Sequence, residues 1–317
     1  MESILVLGDA ILDCYLEIGV DRISAEAPIP IGLIKGRNYK LGGGSNVAAN
    51  ISAINGNSTF ICEMSNDKNS EILTNLCKKN HINLINFQSE FKSTSTKTRI
   101  ISNNHQLLRI DEEICDHPPN LYNFVKEKIN NINLENEYIA VSDYGKGFFD
   151  SKGKIIDLIN SRGAFCIVDP NGNTLEKYRN SFLLKPNLKE FSNLFQIKSE
   201  SIKSKKDQII GKLKRFGIKH LLITMGKEGI IYFDVKENNG FHIKSEKRQV
   251  FDVTGAGDVF LAGLICALKE NQTILNSTKI GSILASISVG YFGTHIINPD
   301  QYLNAKQKSD SLSHEIL

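Results

Sequence analysis

The chain has 317 residues, 41% of them hydrophobic and 23% charged, enough for one large core with an appendage or for two modest domains. Its 38 basic and 35 acidic residues leave a formal charge of only +3, and short runs such as Lys205-Lys206 read as solvated helix faces, so neither nucleic acid nor a membrane surface is an expected partner. The six cysteines form no C-x-x-C pair, and several lie inside apolar segments, as buried free thiols of a reducing compartment would.

Met1 leads straight into Ile4-Leu5-Val6-Leu7 with no basic region or cleavage site, and no apolar stretch approaches the length of a membrane span, so a cytoplasmic protein is expected. Short apolar runs at 4–7, 59–62, 138–142, 165–168, 182–184, 220–224 and 230–233 predict core strands. Segments near 45–55, 69–80, 120–131, 151–161, 188–195, 205–216, 257–270 and 276–292 predict helices. This alternation predicts an α/β fold with a central, mostly parallel sheet flanked by helices on both faces. Residues 14–41 and 95–111 break the rhythm with period-2 stretches, and 97–102 and 106–110 flank Asn103-Asn104 as a hairpin would. Both regions follow core elements closely, so they are expected to form a small β-sheet lid whose exposed face suits homodimerisation.

Four segments carry chemistry. Gly8-Asp9-Ala10-Ile11-Leu12-Asp13 follows the first strand, and ligands of parallel α/β folds gather beyond strand C-termini, so Asp13 is a candidate acceptor for sugar hydroxyls. Leu41-Gly42-Gly43-Gly44-Ser45-Asn46 opens a helix. Its three glycines let a ligand approach the backbone and Asn46 offers a donor and an acceptor to a hydroxyl-rich ligand; a flexible loop is the plain alternative. The segment does not fit G-x-x-x-x-G-K-S/T, and no G-x-G-x-x-G follows the first strand, which argues against P-loop and dinucleotide enzymes. In Lys185-Pro186-Asn187-Leu188-Lys189-Glu190, Asn187 and Glu190 stand one helical turn apart. They can share a water-rich magnesium shell or form a capping box, and the spacing fits both.

The strongest signal is Asp252-Val253-Thr254-Gly255-Ala256-Gly257-Asp258, followed by an apolar helix. Gly255, Ala256 and Gly257 let amide N–H groups converge at a helix N-terminus, which stabilises anionic oxygens. Asp258, pointing into that hole, can accept a proton from an attacking hydroxyl. An N-cap aspartate after a glycine turn is the plain alternative.

These segments, in this order, resemble the ribokinase/PfkB carbohydrate kinase family over nearly the whole chain, and 42–50 and 252–265 are similar to its two signature patterns. The resemblance implies a ribokinase-like fold and an ATP- and Mg²⁺-dependent sugar kinase, a phosphotransferase with an alcohol group as acceptor. It implies that Asp258 is the base, that the amides of Gly255, Ala256 and Gly257 form the anion hole, and that Asn187 and Glu190 organise magnesium and phosphate, Glu190 through water. Thr224-Met225-Gly226-Lys227-Glu228-Gly229 resembles the family's T-x-G-x-x-G nucleotide loop, which gives Thr224, Gly226 and Gly229 a place beside ATP. Gly293 falls where the family closes the adenine pocket. Asp252, Thr254 and Gly293 match positions that in some members surround an activating K⁺.

Within the family, the segments beginning at Gly8, Arg22, Lys97 and Ser142 resemble the D-glycero-β-D-manno-heptose 7-phosphate kinases, including the kinase half of the bifunctional ADP-heptose synthesis protein. This implies phosphorylation of the anomeric hydroxyl to the 1,7-bisphosphate, in ADP-heptose biosynthesis for a glycan such as lipopolysaccharide. Asp13, Gly42, Gly43, Gly44 and Asn46 would hold the sugar, and Lys97, Arg99, Arg109 and Lys146 are candidates for its phosphate. Two positions depart from the pattern. Asn171, in Asp169-Pro170-Asn171-Gly172, stands where heptose kinases usually carry lysine, and Cys14 stands where a basic residue is usual. The chain ends at Leu317 with no nucleotidylyltransferase domain, so a separate enzyme is expected to attach the nucleotide. Alternatives are a family member acting on fructose, ribose, another sugar phosphate or a nucleoside, and a non-catalytic sugar- or nucleotide-binding regulator that kept the fold.

Overall fold

The first strand, β1 (Ile4–Gly8), is buried along its whole length, and its side chains divide between two cores: Ile4 and Val6 on one face, Leu5 and Leu7 on the other. A continuous aliphatic run takes this form in a strand covered on both sides. The computed structural model describes residues 3–90, 93–103, 105–113, 115–245 and 250–317. After β1 come β2 (Ala10–Ile23), β3 (Pro30–Gly43), α1 (Gly44–Asn55), β4 (Ser58–Ser65), α2 (Lys68–Lys79), β5 (Ile82–Ser89), β6 (Thr96–Ser102), β7 (His105–Glu112) and α3 (Leu121–Asn130). The middle of the chain forms β8 (Tyr138–Ser142), α4 (Lys154–Asn160), β9 (Phe165–Asp169), β10 (Leu183–Leu184), α5 (Leu188–Phe195), α6 (Lys206–Arg215) and β11 (His220–Thr224). The remainder is β12 (Ile230–Asp234), β13 (Asn239–Ile243), α7 (Ala256–Lys269), α8 (Ile274–Ser288), α9 (Pro299–Ser309) and β14 (Glu315–Ile316).

The large sheet has the order β14-β13-β12-β11-β10-β9-β8-β1-β4-β5. Pairings from β5 through β11 are parallel, and the three outer pairings, β11 to β14, are antiparallel. The chain builds outward from β1 both ways, to β4 and β5 and to β8, β9, β10 and β11. A topological switch therefore lies between β1 and β8, and a crevice opens there beyond the strand C-termini.

The small sheet has the order β3-β2-β6-β7. One residue, Asp9, separates β1 from β2, and β3 runs directly into α1, so this sheet is rooted at the C-terminal end of β1. Strands β6 and β7 are the expected hairpin; Asn103 turns at φ 50° and Asn104 lies outside the described residues.

Every strand and helix expected from the sequence is present with adjusted ends; β5, β13, β14 and α9 are additional. Strand β5 is the outer strand of the sheet, half-exposed, and Asn83 and Asn86 lower its strand propensity. Helix α9 buries only Tyr302, Ala305 and Ser309, a thin apolar stripe, although Asn298, Pro299 and Gln301 form a capping box with proline in the first turn. Helix α4 starts later than expected because the Asp150 carboxylate accepts the N–H groups of Lys152 and Lys154 and turns the chain first. All six cysteines are free and all but Cys115 are buried. Among the described residues no helix is long and apolar enough to cross a membrane.

Helix α7 is buried from Asp258 to Leu268 and packs against α1 and α8. At the α7–α8 contact a Cβ on Gly281 would stand 2.8 Å from the Phe260 carbonyl oxygen. Gly281→Ala is therefore expected to push the two helices apart, at a cost of about 1–3 kcal/mol for overpacking. The urea midpoint should fall with an unchanged slope; an unchanged midpoint would mean that the contact has slack.

Candidate active site

Gly255 caps α7 in the left-handed region (φ 76°), so the helix begins at Ala256 and Asp258 is its third residue, not its cap. The Asp258 carboxylate, 1% exposed, accepts two side-chain hydrogen bonds: from Asn46 Nδ2 onto Oδ2 at 2.8 Å and from the Tyr144 hydroxyl onto Oδ1 at 2.7 Å. A Cβ on Gly255 would lie 2.8 Å from Asn46 Nδ2, so glycine there clears the approach of Asn46. Ala256 N–H turns back onto Val253 O at 3.2 Å and Val259 N–H onto Gly255 O at 3.0 Å. Among the described residues the N–H groups of Gly255, Gly257 and Asp258 meet no protein acceptor. The open donors expected of Gly255, Ala256 and Gly257 are thus shifted: Ala256 is committed, and Asp258 supplies its own N–H.

The sequence assigned Asn46 to a ligand. Its Nδ2 donates to Asp258 and its Oδ1 accepts from Asn50 Nδ2 at 3.2 Å, which leaves one N–H and one lone pair of the amide open. Gly42 and Gly43 close β3 and Gly44 opens α1; the Gly44 N–H donates to Asp9 O at 2.9 Å, which fixes the glycine run against the end of β1.

Asp13, 3% exposed, lies 2.5 Å from Arg99 Nη1 across the β2–β6 pairing. Arg99 was expected among the cations for a substrate phosphate. That expectation is not met: its guanidinium is buried against Asp13, and removing either partner would leave an uncompensated buried charge. The charges of the other two candidates, Lys146 and Arg109, both act on the third, Lys97. Lys97 Nζ lies 5.4 Å from the centre of the Tyr144 ring. Burial holds Lys97 below the ordinary lysine range, with Lys146 and Arg109 pressing the same way against Asp13 and Asp111. Lys146 also pairs with Glu113 at 2.5 Å and Arg109 with Asp111 at 2.8 Å.

Sequence reasoning passed over Asp9 and Tyr144. The buried Asp9 carboxylate accepts three backbone N–H groups of the loop after β8, from Tyr144 at 2.7 Å, Lys146 at 3.2 Å and Phe148 at 3.0 Å. Asn171 Nδ2 donates to Tyr144 O at 2.6 Å. The residue standing where a lysine was expected therefore braces the backbone of the tyrosine that binds Asp258. Asp143, next in the loop, is held by Lys177 and the Tyr178 hydroxyl, each at 2.6 Å. The available signal was Ser142-Asp143-Tyr144-Gly145-Lys146-Gly147 leaving a core strand at the crevice.

Asp169 ends β9 and pairs at 2.9 Å with Lys185, 2% exposed, just beyond β10. Both reach the turn: a Cβ on Gly257 would lie 3.6 Å from Lys185 Nζ and 3.7 Å from Asp169 Oδ2. Asn187 and Glu190 form the capping box, with Glu190 N–H on Asn187 Oδ1 at 3.0 Å and Asn187 N–H on Glu190 Oε2 at 2.8 Å. Thr224 pairs with Asn187 and donates its N–H to Pro186 O at 3.0 Å, which sets the Thr224, Gly226 and Gly229 loop beside the cap. Burial, reinforced by the charge of Asp169, pushes Glu190 up to about 7. Among the described residues no group of three or more His, Cys, Asp or Glu could hold a metal directly. Two mutually repelling carboxylates at the crevice do fit a Mg²⁺ bound largely through water and phosphate oxygens, as that ion prefers.

Asp252 Oδ1 accepts the N–H and hydroxyl of Thr254, at 2.9 and 2.7 Å, and Oδ2 accepts Gly293 N–H at 2.8 Å, so these three residues do come together. Asp258 itself is governed first by burial, which pushes it up to about 7; Asn46, Tyr144 and Lys185 oppose that shift and Asp169 adds to it.

Residues 1–301 match the family model described as pfkB family carbohydrate kinase. Curated relatives include the bifunctional protein HldE of Actinobacillus succinogenes, 32% identical over 308 residues, and that of Pasteurella multocida, 31% identical over 303 residues. Each alignment covers 96% of this chain but only 63% of the relative's length. Among solved structures, phosphofructokinase-2 from Escherichia coli in complex with substrates and products has a TM-score of 0.80 at 18% identity, over 98% of this chain and 100% of that one. Ribokinase from Thermotoga maritima has a TM-score of 0.73 at 20% identity, over 97% and 100%. At these identities the likeness establishes a ribokinase-like fold. The family match takes in every element from β1 to α8, and the chain belongs to the pfkB family of carbohydrate kinases.

Proposed function

We propose that this sugar kinase transfers the γ-phosphate of ATP to the anomeric hydroxyl of D-glycero-β-D-manno-heptose 7-phosphate, giving the 1,7-bisphosphate. The observation that carries the choice of substrate is Lys97, 5.4 Å from the centre of the Tyr144 ring whose hydroxyl binds Asp258, with the charges of Lys146 and Arg109 close enough to act on it. Cations grouped near the small sheet suit a sugar that already bears a phosphate; a free sugar needs none. The name of the HldE relatives supports the same substrate class. A nucleotidylyltransferase activity would then act on the product on the route to an ADP-heptose.

In this reading Asp258 is the general base. Each of its oxygens keeps a lone pair beyond the bonds from Asn46 and Tyr144, so a sugar hydroxyl can dock and lose its proton there. The open N–H groups of Gly255, Gly257 and Asp258, with Lys185 beside Gly257, would receive the oxygens of the transferring phosphoryl group. Asp13, with Gly42, Gly43 and Gly44, would bound the sugar; Thr224, Gly226 and Gly229 would meet the nucleotide phosphates and Gly293 the adenine. Mg²⁺, held through water by Glu190 beside Asn187, would supply charge neutralisation on the phosphates. The small sheet would close as a lid that excludes water. Its exposed Ile23, Leu33, Ile34, Leu107 and Leu108 suit a homodimer, and the reading implies a cytoplasmic enzyme.

Asp258→Asn should lower kcat by about 10²–10⁴-fold, the usual range for a lost general base, with ATP affinity retained. Near-normal turnover would remove Asp258 from the mechanism. The wild-type rate should rise with pH through about 7 as Asp258 ionises. Stability runs the other way. An aspartate that ionises near 3.8 when unfolded and near 7 when folded binds its proton more tightly in the native state. Its contribution is full below the unfolded value and lost as pH rises through the folded one. Asp258→Asn should therefore gain on the wild type in urea unfolding between pH 5 and pH 8, and a constant difference would contradict the assignment.

A panel of sugars assayed by ADP release tests the substrate. Heptose 7-phosphate should be turned over in preference to fructose, ribose, fructose phosphate and nucleosides. Lys97→Ala should raise its KM about 10-fold or more, as expected for a lost hydrogen bond to a charged group, and leave the KM for ATP unchanged. Ready turnover of fructose or ribose with none of the heptose phosphate would overturn the choice.

A further inference from the structure

Lys40 lies on β3 of the small sheet, yet its ammonium reaches the far end of the chain: Nζ donates to Phe292 O at 2.8 Å and to Thr294 O at 2.9 Å. Between those two carbonyls stands Gly293, in the left-handed region (φ 69°), with its N–H on Asp252 Oδ2 at 2.8 Å. The charges of Asp13 and Asp252 both act on Lys40, and the Tyr15 ring centre lies 5.5 Å from its nitrogen. Tyr15 in turn packs edge-on against Phe292, with ring centres 5.5 Å apart. The protein thus delivers a positive charge of its own onto a pair of carbonyls beside a carboxylate.

This bears on the activating K⁺ that the family resemblance attached to Asp252, Thr254 and Gly293. The residues present do not fit a resident ion. Asp252 Oδ1 already accepts two hydrogen bonds, from the N–H and hydroxyl of Thr254, and Oδ2 accepts one from Gly293, so a single lone pair of the carboxylate is left. The carbonyls on either side of Gly293 already accept from an ammonium, and a second cation sharing them would be repelled at close range.

We propose that Lys40 is a tethered replacement for the monovalent cation, so that this kinase needs no K⁺. Its ammonium holds residues 292–294 against Asp252, and Asp252 orders Thr254 at the start of the turn that ends in Asp258. The charge arrives from the small sheet, so docking of that sheet does what binding of an ion would otherwise do. The proposal rests on the reading of the turn as the phosphoryl-transfer site; the melting measurement below does not.

The test compares K⁺ with tetramethylammonium at equal ionic strength, reading both turnover and melting temperature. In the wild type neither should respond to K⁺. Lys40→Met keeps the length of the side chain and removes the charge. In the absence of K⁺ it should lose about 10-fold or more in kcat/KM, the effect of losing hydrogen bonds from a charged donor. It should also recover part of that loss in K⁺, and its melting temperature should rise with K⁺. Lys40→Arg should keep the wild-type indifference. Wild-type protein that is activated several-fold and stabilised by K⁺ overturns the proposal. So does a folded Lys40→Met chain whose activity and melting both ignore K⁺. If Lys40→Met does not fold, the wild-type titration alone decides between the two outcomes. A K⁺-dependent melting shift in an inactive preparation would still overturn the proposal, whatever the substrate proves to be.

Discussion

The hydrogen bond from Asn46 to Asp258 joins two glycine-rich segments 212 positions apart, and the geometry of the site depends on it. A carboxylate buried as deeply as Asp258 would keep its proton at neutral pH if nothing opposed the cost of burial. Asn46 and Tyr144 supply that opposition with one donor to each oxygen, and leave the group at about 7, where it can ionise at neutral pH and still be basic. The bond requires α1 to lie close against α7. The two helices do pack together, and Gly255 leaves room for the amide.

Around this bond the crevice holds four buried or half-buried acids, each with its own partners. Asp9 has three loop N–H groups, Asp143 has Lys177 and Tyr178, Asp169 has Lys185, and Asp258 has Asn46 and Tyr144. Each is a tolerable charge only because its partner is fixed. Asp9, Asp143 and Asp169 stand at the C-terminal ends of β1, β8 and β9, and Lys185 just beyond β10, which places the site at the topological switch. The small sheet enters the same network through Asp13–Arg99, Lys97 and Lys40, so its position is tied to that of the turn.

What was legible in the sequence was local. Aliphatic runs marked the parallel strands because a strand buried on both faces has no polar side, and the 252–258 string marked the turn because few other strings fold so tightly. The capping box of Asn187 and Glu190 could be read from its spacing, although spacing could not tell cap from metal shell. What was not legible depended on contacts distant in sequence. Asn46 has a protein partner, Asp258, that its own segment does not reveal, Arg99 has a buried counter-ion, and Asn171 looked like a lost phosphate contact but braces Tyr144. Asp9 and Lys40 carry no local signature, and the segment that holds Tyr144 marks the crevice without revealing its partner; the crossing of β1, the loop after β8 and β3 gives all three their places.

In the proposed reaction Asp258 receives the proton of a sugar hydroxyl while the cations near the small sheet hold the phosphate at the other end. A crystal structure with heptose 7-phosphate and a non-hydrolysable ATP analogue tests it most directly. The anomeric oxygen is expected within hydrogen-bonding distance of the Asp258 carboxylate, facing the γ-phosphate, with the 7-phosphate among Lys97, Lys146 and Arg109. A sugar bound with its anomeric oxygen turned away from Asp258, or with its phosphate far from those three side chains, would contradict it.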